Sequence, residues 1–399
     1  MPQDSPAAAL NAAGQWLGSD PRRACREMAL ALQQLPTAAA AWFNYGLAQH
    51  LCGRIPAAVR AYRRSLACPD PPLRQLANNL SQDLLLSGCF AEGWHVYEHR
   101  PRQPLPVACH QWYGPRWTGP QPPHSPLLLV SEQGFGDTLM MLRFALQLAQ
   151  SGCQVELVCQ EALVELIAHA APGLAVRGEL VRQPQARPWA PLLSLPGILG
   201  ATDQAMPMPQ GYLQLQPALV QQWSRRLQRR SGRLLVALHW QGNPVSEQSL
   251  YSRGRSLPLA ALAPLAELPG VEFVSVQKGE GQQQWPGPFA GCQVAGQAAV
   301  SASGSFLDTA AVLANCDLLI SADSAVVHLA GALGLPAWVL LKALPEWRWG
   351  LQGERSYWYS SLRLFRQPLQ AHAPQEPWRD PVQQLVEALA TRGAGLSRG

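Results

Sequence analysis

The chain reads as a multidomain α + α/β protein, with α-helical hairpins at the N-terminus followed by two Rossmann-like α/β domains. Two observations predict this. Residues 7–100 are self-similar at a spacing of 34 to 35 residues. From residue 127 onward, short apolar runs alternate with helix-length segments, which is how parallel strands and their crossover helices read. The stretch Asp317 to Leu341, DLLISADSAVVHLAGALGLPAWVLL, states the second pattern in full: strand Leu318–Ser321, turn Ala322–Ala325, helix Val326–Leu333 ended by Gly334 and Pro336, strand Ala337–Leu341.

Composition bounds the rest. With 399 residues, 47% of them apolar and 14% charged, the chain is long enough for two or three folded domains and too apolar for disorder. No apolar run reaches the roughly 20 residues of a membrane span. The opening MPQDSPAAALNAAG lacks the basic and apolar regions of a secretory signal. The protein is therefore expected to be cytoplasmic, at most peripheral to the inner face of the membrane, with no transmembrane segment. The net charge of +5 is uneven: residues 1–125 hold 11 Arg against 7 acids. That excess fits a solvated helix face as well as an acidic partner. No Lys/Arg block interleaved with aromatics is present, which argues against nucleic acid. The nine cysteines (25, 52, 68, 89, 109, 153, 159, 292 and 316) form no CxxC pair and have no histidines at zinc spacing. Free thiols and no metal site are expected.

Within residues 1–100, Trp42, Gly46, Gly53, Ala58 and Tyr62 follow the tetratricopeptide order, a helical hairpin of about 34 residues. Asn78–Leu80, Gly88, Gly93 and Tyr97 repeat it 35 residues on, and Ala24 stands 34 before Ala58. Small residues let paired helices approach, and aromatics fill the grooves. Such an array either docks an acceptor or partner, or only packs. Residues 101–126, PRQPLPVACHQWYGPRWTGPQPPHSP, read as an ordered connector, because Trp112, Tyr113 and Trp117 need burial.

Residues 127–232 form the first α/β domain: strand Leu127–Val130, loop Ser131–Thr138, helix Leu139–Gln150, strand Gln154–Cys159 and helix Glu161–Ala170. The stretch 172–232 is less regular, with Leu193–Gly197 read as a loop. Residues 233–376 form the second: strand Leu234–Leu238, the polar loop His239–Pro244, Arg253–Ser256, a helix from Pro258, strand Glu272–Val276, Gln277–Gly279, helix Ser305–Asn315, the βαβ unit above, and an aromatic stretch 345–366. A closing helix, Trp378–Thr391, lies in 377–399.

Three places could do chemistry. Ser324 is a good N-cap; the N–H groups that follow it have no helical partner and favour an anion. His328 lies one turn in, and Asp323 could accept sugar or ribose hydroxyls. A capped helix with a satisfied histidine explains the same residues. Gly134-Phe135-Gly136-Asp137 follows a strand and opens a helix; it is neither GxGxxG nor a P-loop. Asp137 could take a proton from an attacking hydroxyl, or merely complement the helix dipole. Lys278, Arg253 and Arg255 stand in strand-end loops, as phosphate ligands or as ordinary surface charge. No GxSxG elbow joins a strand to a helix, and HExxH and an acidic pair for a magnesium-bound diphosphate are lacking, so a phosphate leaving group would rely on helix N-termini, Lys and Arg.

Several motifs taken in order resemble a known family. EQGFGDTLMMLRFA, HWQGNP, RGRSLPL, VSVQKG, SADSAVVHLAGALGLPAWVLL, PEWRWG and SYWYSSLRLFRQ are similar to those of bacterial ADP-heptose:lipopolysaccharide heptosyltransferase-like proteins, glycosyltransferase family 9, and of their tetratricopeptide-fused relatives. The resemblance covers roughly residues 75–390. It implies a GT-B fold and metal-independent, inverting transfer of a sugar from a nucleotide-diphosphate donor to a glycan, lipid-linked or protein acceptor, with no cofactor. It makes Asp137 the catalytic base, with Gly134 and Gly136 beside the donor. It places Ser324, Ala325 and His328 at the diphosphate, Asp323 at donor hydroxyls, Asn243 and Arg255 at the phosphates, and Gln277 and Lys278 near the nucleoside. Lys342 and Ala343 stand where relatives carry a Pro-aromatic pair. A repeat scaffold with an inactive transferase domain is the alternative.

Overall fold

A computed structural model describes residues 11–101, 109, 113–114, 116–119, 126–181, 187–369 and 376–396, the last four by backbone alone. Residues 1–10, most of the Pro- and Trp-rich connector including Trp112, and the tail beyond 396 lie outside the described residues. The chain forms two compact units. The first is Met1–Arg102 with Gln248–Arg253 and Leu344–Gln352; the second is Gln103–Glu247, Gly254–Ala343 and Gly353–Gly399.

The first unit holds helices α1 (Pro21–Gln34), α2 (Ala39–Leu51), α3 (Ile55–Leu66), α4 (Leu73–Leu86) and α5 (Phe90–Tyr97). Asp20 caps α1 by accepting the Arg23 N–H at 2.9 Å, and Pro21 sits at its first position. Small residues set the close approaches. A Cβ on Gly46 would stand 2.5 Å from the Tyr62 ring, and one on Gly93 2.7 Å from Leu85. The segments Gln248–Arg253 and Leu344–Gln352 fall in the stretch the sequence reads as the second α/β domain, yet they pack with these helices. Aromatic anchors explain it. Tyr251 stacks on His50 with ring centroids 3.9 Å apart, and Trp347 meets Trp94 edge-on at 5.4 Å. Beneath Tyr251, buried His50 and Asp83 approach to 2.7 Å, and Tyr251 shares a hydroxyl–hydroxyl bond of 3.0 Å with Tyr62.

The second unit contains two parallel sheets. The first half runs β1 (Leu127–Val130), α6 (Phe135–Gln150), β2 (Val155–Val158), α7 (Glu161–Ala170), β3 (Ala175–Arg177), β4 (Trp189–Pro191), α8 (Leu195–Ile198) and α9 (Pro217–Leu227). The second half runs β5 (Leu234–His239), β6 (Val271–Ser275), α10 (Gln297–Ala302), α11 (Phe306–Ala314), β7 (Leu318–Ala322), α12 (Ala325–Ala332), β8 (Ala337–Leu341), β9 (Leu362–Arg366) and α13 (Arg379–Leu396). The strand orders are β3-β2-β1-β4 and β6-β5-β7-β8-β9, parallel throughout. Strands β1, β5, β7 and β8 are buried at every residue, as sheets covered on both faces require. In each sheet the order reverses beside the first strand, between β1 and β4 and between β5 and β7. Open α/β sheets bind ligands outside the carboxyl ends of strands at such reversals.

Three local readings are corrected. Helix α6 starts at Phe135 rather than Leu139, because Asp137 reaches back to accept the Gly134 N–H at 3.0 Å. The segment after Pro258 is 3-10 rather than α over Leu259–Glu267, with Pro264 inside it removing a helical donor. Around Leu193–Gly197 the chain is not a loop but a 3-10 turn, Leu192–Ser194, running into α8. No helix among the described residues is long and apolar enough to cross a membrane.

Candidate functional site at the two strand-order reversals

The loop after β1 and the turn after β7 converge. A Cβ on Gly136 would lie 2.8 Å from His328 Cδ2 and 3.4 Å from Ala325 Cα. Glycine is required here by proximity, not by a special φ. The start of α6, bearing Asp137, is therefore packed on the start of α12. Asp137 is half-buried and shares one carboxylate oxygen with the Gly134 N–H.

Helix α12 has Ser324 as its N-cap residue, but the hydroxyl makes no capping bond. It lies 3.2 Å from Ser321 Oγ instead. The first-turn N–H groups are therefore left without the side-chain acceptor that normally satisfies them. With the positive end of the helix dipole, this makes an anion-favouring edge. Asp323 and Ser324 are buried and Ala325 half-buried.

His328 is buried, and its Nδ1 shares a 3.0 Å hydrogen bond with the Tyr359 hydroxyl. The other side of the ring faces Gly136. Tyr359 is itself pinned. Gly331 leaves room for its ring, since a Cβ there would come within 2.4 Å. The buried Arg143 guanidinium stands 4.5 Å over it. Burial pushes the Tyr359 phenol well up, keeping it a neutral hydroxyl. Arg143 donates to the carbonyls of Met140, Pro207 and Trp358 at 3.0, 3.2 and 2.5 Å, which ties α6 to the segment before β9. Sequence reading singled out neither Arg143 nor Tyr359. Both lie within the quoted motifs, but periodicity alone gives them no role.

The remaining sequence candidates are placed differently. Gln277 does not present its amide to a ligand. Its Oε1 accepts from the Trp240 and Gln241 N–H groups at 3.1 and 3.0 Å, and its Nε2 donates to Gln241 and Glu280 carbonyls at 2.9 Å each. It is the brace of the loop after β5. Lys278 is half-buried and donates to the Val300 carbonyl; burial first, offset by Asp308, lowers its pKa. Asn243 is exposed and accepts the Val245 N–H at 3.0 Å, an Asx turn. Arg255 lies against Gly242 and 3.7 Å from Glu247. Arg253 belongs to the helical unit. So the structure brings together Gly134, Gly136, Asp137, Ala325 and His328, with Ser324 and Asp323 adjoining, while Asn243 and Arg255 lie in the loop after β5 and Gln277 and Lys278 in the loop after β6, each with partners of its own.

Among the described residues, no three His, Cys, Asp or Glu side chains are grouped so as to hold a metal ion. A cavity of about 630 Å³ lined by Leu146, His169, Tyr212 and Gln216 opens at the far end of α6. Leu146, the lining residue nearest Asp137 on this helix, stands nine positions further on, about 14 Å along the helix. It is not part of this site.

No family model matches the chain. Protein FlbA of Caulobacter vibrioides is 27% identical in an alignment of 359 positions that covers 84% of this chain. The chain spans only 59% of that protein's length. Among solved structures, E. coli ADP-heptose lps heptosyltransferase II is 12% identical, covering 68% of this chain and 99% of that one at a TM-score of 0.45. The family 9 glycosyl transferase of Veillonella parvula is 11% identical over 70% and 100%, at 0.46. An O-GlcNAc transferase of Thermobaculum terrenum is 15% identical over 98% and 93%, at 0.30. At such TM-scores these likenesses decide neither fold nor activity.

Proposed function

We propose that the chain is an inverting, metal-independent glycosyltransferase of GT-B type, with a tetratricopeptide-like helical unit. It moves a sugar from a nucleotide-diphosphate donor to a hydroxyl of a glycan, lipid-linked or protein acceptor. One observation supports this reading: Gly136, beside Asp137 in the first turn of α6, lies against Ala325 and His328 at the N-terminus of α12, and the strands that lead into these two helices each stand at the strand-order reversal of a parallel sheet.

In this reading Asp137 accepts the acceptor's hydroxyl proton as the oxygen attacks the anomeric carbon. The anomeric carbon–phosphate oxygen bond breaks, and the electron pair leaves with the nucleoside diphosphate. Attack opposite the leaving group inverts the centre. The α12 N–H groups and His328 stabilise the departing charge. Asp323 holds donor hydroxyls, and Arg255 and Lys278 contribute positive charge from the neighbouring loops. The helical unit recognises the acceptor.

Specific observations favour a second reading, a binding scaffold with an inactive transferase domain. Asp137 is engaged as a capping residue, and the polar groups of Gln277 and Lys278 are engaged with backbone carbonyls. Calorimetry with nucleotides and nucleotide sugars separates the two, since the scaffold binds none. A transfer assay with a nucleotide-sugar panel then tests the enzyme directly, with Asp137→Ala beside the wild type.

A further inference from the structure

The carboxyl edge of β5 holds one side chain, His239, that begins the HWQGNP motif but has no role in the reading above. His239 is the last residue of β5 and pairs in register with Ser321 of β7, across the strand-order reversal. Leu234, Val236 and Leu238 of β5, with Leu318, Ile320 and Ala322 of β7, face the core covered by α13. Alternation along both strands therefore turns His239 and Ser321 to the opposite face, side by side on neighbours about 4.8 Å apart. Ser321 Oγ in turn lies 3.2 Å from Ser324 Oγ at the head of α12. His239 thus stands beside the anion-favouring edge.

Its own hydrogen bonding is incomplete. The residue is 8% exposed, and Nδ1 is sealed from solvent with no partner among the described residues. Nε2 has no partner there either, but it is not sealed. A neutral imidazole carries one proton. An orphaned buried N–H is less tolerated than an orphaned lone pair, so the proton belongs on Nε2, toward the open side. Burial keeps the ring neutral, pushing its pKa down to about 4. At the end of a buried strand an apolar β-branched residue would fit without an unmet polar atom. A histidine kept there with an outward N–H is what a ligand oxygen would use.

We propose that His239 is a phosphate-binding residue, whose Nε2–H donates to a phosphate oxygen of the nucleoside diphosphate seated at the head of α12. This rests on the reading of that edge as a diphosphate site and adds a residue to it. A neutral donor supplies direction without further charge, beside a helix end that already supplies positive potential.

The test uses the full chain and two probes, inorganic pyrophosphate and ADP, in calorimetric titrations of wild type, His239→Val and His239→Gln at pH 7.5. His239→Val should weaken both probes about tenfold, the loss of one hydrogen bond to a charged oxygen. His239→Gln, whose amide nitrogen replaces Nε2, should bind within about threefold of wild type. In ¹⁵N spectra, pyrophosphate should move the His239 Nε2 resonance of the wild type. Wild-type affinity in His239→Val overturns the proposal, and so does equal weakening in both variants with an unmoved resonance. If the wild type binds neither probe nor UDP or GDP, the diphosphate reading itself fails, and the proposal fails with it.

Discussion

His239→Val should also change how the chain responds to acid, and the size of the change follows from burial. In the unfolded chain the imidazole titrates near 6.5, whereas in the folded chain burial pushes it down to about 4. The folded state thus binds this proton more weakly than the unfolded state. The histidine's effect on stability is unchanged above pH 6.5 and turns unfavourable as pH falls toward 4. The gap of 6.5 − 4 = 2.5 pH units corresponds to about 3 kcal/mol at full extent. At pH 5 about 2 kcal/mol of this is already lost. Buried Asp83 works the other way, since burial raises its pKa and favours the folded state under acid. It is common to both chains and cancels in their difference. Urea unfolding followed by tryptophan fluorescence at pH 7.5 and 5.0 reads the effect. Wild type should lose about 2 kcal/mol more than His239→Val over this interval. Equal losses would refute a buried, neutral His239.

Two further substitutions probe other close contacts. Gly136→Ala places a methyl group 2.8 Å from His328 Cδ2, and the Tyr359 bond keeps that ring from yielding; urea unfolding should show a loss of about 1–3 kcal/mol. Unchanged stability would mean the two helix starts are not packed together. In the helical unit, Asp83→Ala leaves buried His50 without its 2.7 Å partner and should cost about 3 kcal/mol, with faster proteolysis inside Gln248–Arg253, whose Tyr251 lies on that pair. Cleavage at the wild-type rate would show that the segment is held by something else.

What the sequence made legible was local. Apolar runs announced β1, β5, β7 and β8, and turn chemistry pointed to Gly134–Asp137 and Asp323–His328 before their apposition was visible. The losses are non-local or too short for periodicity. Strand β4 is three residues ending in Pro191, and only its pairing with β1 makes it a strand. Tyr251 has no role in the sequence reading and Trp347 only a place in the aromatic stretch 345–366, because nothing in their neighbours tells that they pack on residues of the helices about 200 or more positions away in sequence. Gln277 is placed near a nucleoside by the family resemblance alone. Its amide braces the loop after β5, a use that depends on backbone groups some 36 residues back. His239 stood in a quoted motif, yet its unmet nitrogen becomes visible only when the strand is placed in its sheet.

The measurement closest to the central claim is sugar transfer from a panel of nucleotide sugars, run with wild type and Asp137→Ala on one acceptor mixture, with donor binding followed by calorimetry. If Asp137 is the base, the wild type turns over one donor, and the variant binds that donor equally well while transfer falls about 10²–10⁴-fold. Full turnover by Asp137→Ala would remove it as the base, and a wild type that binds no nucleotide would contradict the glycosyltransferase reading outright.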